Sequence, residues 1–143
     1  MIKNIVDGLI ELSGTRNPFE ICNFLGIQVL IHDLGSQILG FFQKTKDGTE
    51  ILHINSRLDD IKRKYICSHE LGHAILEPDL NISFFIENPL VVKSKHEIKA
   101  DKFAAELLIH DNLLESYEGF TLEQIAIAEN INKELLNLKF NIK

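Results

Sequence analysis

The segment His69-Glu70-Leu71-Gly72-His73 restricts this chain more than any other feature. On an α-helix, residues four apart share a face, with their side chains about 6 Å apart. Two imidazoles so placed can hold one metal ion at the roughly 2.0–2.1 Å that zinc–nitrogen bonds require. Glu70 is offset by one position, so its carboxylate lies beside such an ion, where it can take a proton from water that the metal acidifies. Helical periodicity does run through the segment, from Leu58 to about Leu76, with Ser56 as the expected cap and Pro78 beyond the end. Gly72 is a weak helix former, and its presence implies close approach by another element or a substrate.

The rest of the pattern sets the context for that helix. Ile2–Leu12 carries a helical apolar stripe, and Asn17-Pro18 reads as a cap and first position of a short helix ending at Gly26. Ile27–His32, Ile38–Gln43 and Thr49–Asn55 are strand-like runs with turn signals at Asp33–Gln37 and Lys46-Asp47-Gly48. Three consecutive strands with short turns predict a small antiparallel three-stranded sheet. Asn81–Val92 reads as a mixed connection, a lid or a crossing loop. Ser94 is placed to cap a helix from Lys95 to about Ile109, and Thr121–Lys143 is helical with a break near Asn130–Asn132. The expected class is α+β, a small antiparallel sheet packed with helices.

Composition narrows the setting. A chain of 143 residues suits a single domain over 1–143, and 45% hydrophobic with 25% charged residues is ordinary for a folded globular protein. Its longest apolar runs fall far short of the roughly 20 residues that span a bilayer, and Asp7 interrupts any signal-like core, so the expectation is a cytoplasmic protein with no membrane partner. A net charge of −6 and the lack of a basic stripe argue against direct nucleic-acid binding. The two cysteines, Cys22 and Cys67, are expected as reduced thiols. Cys67 lies two residues before His69, about 200° away around the helix, so its thiol should point into packing.

A catalytic zinc takes a third protein ligand and keeps a position open for water. Glu97 and Asp101 lie four apart on the next helix, on a face that also carries Ala100, Ala104 and Leu108. Small residues there would let that helix pack against the His69 helix, with Glu97 completing the metal site. Asp101 could then accept a hydrogen bond from the far nitrogen of one histidine and orient the ring. His96 competes with Glu97 as ligand, but about 100° separates neighbouring positions on a helix, and His96 has only Ala100 one turn on. His32 and His53 fall on strands as ordinary half-buried or surface histidines, and His110 is accounted for by the dipole at a helix end.

The stretches Ile66-Cys67-Ser68-His69-Glu70-Leu71-Gly72-His73-Ala74-Ile75-Leu76 and Glu97-Ile98-Lys99-Ala100-Asp101-Lys102-Phe103-Ala104-Ala105-Glu106-Leu107-Leu108 together resemble the ImmA/IrrE family of metallo-endopeptidases. That family pairs the first pattern with the second in this order, and the likeness covers roughly residues 18–115. It implies a zincin-like domain of gluzincin type, with His69, His73 and Glu97 on Zn²⁺ and Glu70 as base. It also implies a partner, a helix-turn-helix repressor of a mobile element, prophage or stress response, here a separate protein. One departure is Ile109-His110, where the family often has Pro, and it bears on how the helix ends.

The expected chemistry is peptide hydrolysis, with an extended substrate laid along an exposed edge of the Ile27–Asn55 sheet. Tyr117 is the tyrosine nominated as a second donor to the oxyanion. A rival reading keeps the zinc but not the cutting: a regulator that binds its repressor without cleaving it.

Overall fold

The structure, a computed structural model, describes residues 1–77, the strand backbone at 82–86 and residues 94–141. Among the described residues are six α-helices: α1 (Ile2–Ser13), α2 (Pro18–Leu25), α3 (Asp60–Leu76), α4 (Lys95–Leu108), α5 (Leu122–Glu129) and α6 (Lys133–Phe140). The four strands are β1 (Gln28–His32), β2 (Ile38–Lys44), β3 (Glu50–Asn55) and β4 (Ile82–Ile86). The class is α+β, as the order of patterns predicts.

The sheet departs from the expected antiparallel meander. Its order is β1-β3-β2-β4. β2 and β3 form the expected antiparallel hairpin, but β1 pairs with β3 in parallel, Leu30 opposite His53. β3 is therefore inserted between β1 and β2, and Asp33–Gln37 crosses over it instead of making a tight turn. Two strand spacings, about 10 Å, lie well within the reach of five residues. Asn55 secures that crossing: its amide donates to the carbonyls of Gly35 and Ile38, both at 2.8 Å. A fourth strand, β4, comes from the segment expected to be a connection and pairs antiparallel with β2. The remainder of Asn81–Val92 lies outside the described residues. β1 is left as the edge within Ile27–Asn55.

Local signals explain most helix ends. Asn17 caps α2 by accepting from the Phe19 amide at 2.9 Å, and Ser94 caps α4 by accepting from the Glu97 amide. For α3 the cap is Asp59, which accepts from the Lys62 amide at 2.8 Å; Ser56 is not the cap. The residues between are spent on a turn, with Leu58 N–H donating to the Asn55 carbonyl and the Arg63 guanidinium donating to the Ser56 and Leu58 carbonyls. Leu113–Tyr117 is a 3-10 turn that the pattern did not announce.

One core fills the space between the sheet and the helices, with Phe42, Leu52 and Ile54 facing Ile21, Ile66, Leu71, Phe103 and Leu107. Large side chains fully buried here each contribute about 1.5–3 kcal/mol. A second cluster, including Ala105, Ile109, Ile125, Leu135 and Leu136, joins α4 to α5 and α6. α3 thus passes through the centre of the protein, and residues 66 to 74 are all buried.

Candidate active site

Burying the middle of α3 on all sides forces its polar residues into a closed setting. His69 and Glu70 are fully buried and His73 is 1% exposed. α4 supplies the facing wall, and it approaches closely because Gly72 has no side chain. A Cβ at Gly72 would lie 3.0 Å from Cβ and 3.1 Å from Cγ of Phe103. The close approach inferred for Gly72 is therefore to another element, and the buried Ala100 and Ala104 lie on that same helix.

The approach brings the α4 carboxylates onto the histidines. His69 Nε2 donates to Glu97 Oε2 at 3.1 Å and His73 Nε2 donates to Glu97 Oε1 at 2.7 Å. The two rings stand edge to face with centroids 4.9 Å apart. At the far nitrogen of the first ring, His69 Nδ1 donates to Asp101 Oδ1 at 2.8 Å. Metal-binding atoms of His69, Glu70 and His73 all lie within 4.8 Å of one another. Glu97 joins them through its bonds to both Nε2 atoms, and its side chain, 21% exposed, is the least buried of the set.

His96, the rival of Glu97, is directed elsewhere: its side chain is 64% exposed and its Nδ1 faces Glu77 Oε2. Tyr117 is half-buried, with its ring edge-on to Phe120 at 5.6 Å and its hydroxyl turned to Glu129, so its described contacts are with the C-terminal elements. Cys67 points away from the histidines, as its helical angle requires, with its Sγ 3.9 Å from Cys22 Sγ; both are free thiols. His32 and His53 touch each other across the sheet, and His53 stacks on Phe41.

Two residues that sequence reasoning passed over belong to the network. Glu77 Oε1 accepts from His73 Nδ1 at 2.9 Å, and the Tyr65 hydroxyl donates to Asp101 Oδ1 at 2.6 Å. Each stands one helical turn from a motif histidine, four residues before His69 and four after His73, which was the available signal.

The electrostatics follow from burial and from opposed charges. Burial disfavours the His69 imidazolium, but Asp101 and Glu97 outweigh it and raise the ring to about 9. His73 is raised for the same reason, with Glu97 as the largest attraction against burial. Burial works against the Glu97 carboxylate too, yet the two histidines hold it down at about 2. Glu70 behaves differently. Burial raises it to about 7, even though His69, His73 and the Phe42 N–H pull it down. Neither Glu70 carboxylate oxygen has a hydrogen-bond partner of good geometry among the described residues. A buried carboxylate left so costs about 1–3 kcal/mol or more.

These residues fit a metal ion. The donor set is two imidazole nitrogens and a carboxylate converging from two helices, and the orphaned Glu70 carboxylate sits beside them. Such a donor set suits a divalent metal ion and leaves room in its coordination for water.

Comparison with known proteins places the chain in a family. The profile of the peptidase M78 family, the IrrE N-terminal-like domain, matches residues 22–134. An "Uncharacterized immunity region protein 2" of Bacillus phage phi105 is 39% identical over 141 residues, covering 97% of this chain and 89% of the phage protein. "Metallopeptidase ImmA" of Bacillus subtilis (strain 168) is 34% identical over 145 residues, covering 98% of this chain and 84% of that protein. A helix pair bearing these histidines and carboxylates, and a match over most of the chain, lead to one assignment: the chain belongs to the peptidase M78 family of IrrE N-terminal-like metallopeptidases.

Proposed function

We propose that this chain is a zinc-dependent endopeptidase that cleaves a helix-turn-helix repressor. The observation that carries the reading is the convergence of His69 Nε2 and His73 Nε2 on the Glu97 carboxylate, with the unpartnered Glu70 carboxylate alongside. His69, His73 and Glu97 would hold the ion, and Asp101 would orient His69. When bound, zinc supplies Lewis acidity, polarising the scissile carbonyl and lowering the pKa of water towards 7.

The remaining work falls to this chain's residues. To act as ligands, His69 and His73 give up the Nε2 protons and keep the Nδ1 protons, which they donate to Asp101 and Glu77. Glu70 receives the proton of the attacking water on a carboxylate oxygen and passes it to the leaving amine. The closed surroundings of Glu70 exclude bulk water, so the proton is not lost between the two transfers. The relative named for a phage immunity region supports a repressor as substrate, and such a substrate would place the reaction in the cytoplasm.

The test uses purified protein with the helix-turn-helix repressor encoded nearest to its gene, and maps fragments by mass. Wild-type protein with zinc is expected to cut at one site. Glu70→Gln keeps the ligands and removes the base, and should lower cleavage by about 10²–10⁴-fold while zinc stays bound. Cleavage that survives this change sinks the mechanism. A repressor that is bound but never cut makes the chain a binding regulator instead.

A further inference from the structure

Along one face of α3 run Tyr65, His69 and His73, spaced four residues apart, and Glu77, the C-cap of the helix, follows at the same spacing. The outer two bracket the histidines and act on the nitrogens that face away from Glu97. Glu77 does so directly: its Oε1 accepts from His73 Nδ1 at 2.9 Å, while its Oε2 faces His96 Nδ1. The Glu77 side chain is only 12% exposed, so water competes little for that bond. Tyr65 acts through Asp101. Its hydroxyl reaches Asp101 Oδ1 at 2.6 Å, and the same oxygen accepts from His69 Nδ1 at 2.8 Å. Asp101 is 2% exposed, so water competes little for these bonds.

An ionised carboxylate only accepts hydrogen bonds. Each histidine facing one must therefore keep a proton on Nδ1, and that fixes Nε2 as the nitrogen available to a metal. We propose that Tyr65 and Glu77 are positioning residues that hold His69 and His73 as Nδ1–H tautomers with Nε2 aimed at the ion. Helix α3 and its C-cap in this way carry both outer partners, with α4 contributing the Asp101 carboxylate and the His96 ring against Glu77. The inference rests on the metal-binding reading of His69, His73 and Glu97, and it adds two residues that this reading does not need.

Zinc affinity of the full chain, measured by competition with a chromophoric chelator, tests it without any substrate. Outer partners of ligand histidines typically change metal affinity by about 10–100-fold. Glu77→Ala is expected to weaken zinc binding within that range. Glu77→Gln, which keeps an acceptor oxygen at the same reach, should recover part of the loss. Tyr65→Phe removes the hydroxyl alone and should fall near the lower end, about 10-fold. The visible absorption of the cobalt-substituted protein should change in Glu77→Ala, because a ring free to turn alters the ligand field. A merely structural role would lower the melting temperature of chelator-treated protein and leave zinc affinity and the cobalt spectrum as in the wild type. That result for both residues overturns this inference and leaves the metal site standing. A wild-type chain that takes up no zinc overturns the metal reading and this inference together.

Discussion

At the scale of single residues, the site is an arrangement of opposed charges that burial makes strong. His69 faces carboxylates at both nitrogens, so in chelator-treated protein its raised pKa contributes to stability. A group raised in the folded state stabilises fully below its unfolded value and loses that contribution as pH rises through its folded value. For His69 the window runs from 6.5 to about 9. The melting temperature of chelator-treated protein is therefore expected to fall across that window. With zinc saturating, the ring is held neutral and the fall should vanish. Thermal melts with chelator and with zinc check this, and a flat chelator curve would contradict it. Glu70 is the counterpart: buried with no hydrogen-bond partner of good geometry among the described residues, its carboxylate is a cost to folding.

At the scale of elements, two glycines permit the close packing that assembles the site. Gly72 admits Phe103 from α4, and Gly40 admits α3 against β2. A Cβ on Gly40 would lie 2.6 Å from Cγ2 of Ile66 and 2.7 Å from the His53 carbonyl oxygen. The second of these is backbone in the central strand β3 and cannot turn aside. Gly40→Ala is therefore expected to cost about 1–3 kcal/mol, read as a lowered urea midpoint. Gly72→Ala would meet Phe103 Cβ at 3.0 Å, a milder overlap than those at Gly40, and should cost less. Equal losses at the two positions would show that the sheet shifts more easily than this geometry implies. Sequence patterns singled out Gly72 and located all three early strands, but Gly40 and the pairing of β1 escaped them. Alternation marks a strand without naming its neighbour, and β3 lies beside β1 because the sheet buries Leu52 and Ile54 at its centre.

At the scale of the whole molecule, α4 joins two clusters, with Phe103 and Leu107 in one and Ala105 and Ile109 in the other. The Lys139 side chain, 4% exposed, clamps α6 to α4 by donating to Glu106 Oε2 at 2.8 Å. Arg16 secures the end of α4 from the α1–α2 loop, donating to the carbonyls of Glu106 and Ile109. The thiols of Cys22 and Cys67 meet inside the larger cluster, where neither is exposed. Burial raises the Cys67 thiol pKa further, after its contact with Cys22. Thiol reagents should reach this pair only when α2 and α3 separate. Labelling of the native chain is expected to be slower than that of the unfolded chain by about 10³-fold or more, for a stability of about 5 kcal/mol. Rapid labelling without denaturant would show that α2 opens independently of the core. No described helix is long and apolar enough to cross a membrane.

By itself the sequence determined the α+β class, most helix ends and a metal-ligand motif, because helical spacing and capping are local properties of consecutive residues. It also nominated Glu97 and Asp101, since residues four apart share a face wherever their helix lies. Only the tertiary structure decided that this face meets His69 and His73, and that His96 turns to Glu77 instead. The same holds for the cap of α3, which passed from Ser56 to Asp59 once the intervening residues were committed to a turn. Burial completed the site. His69-Glu70-Leu71-Gly72-His73 supplies the groups, and close packing by α4 and the sheet removes the water that would have left their charges weakly coupled.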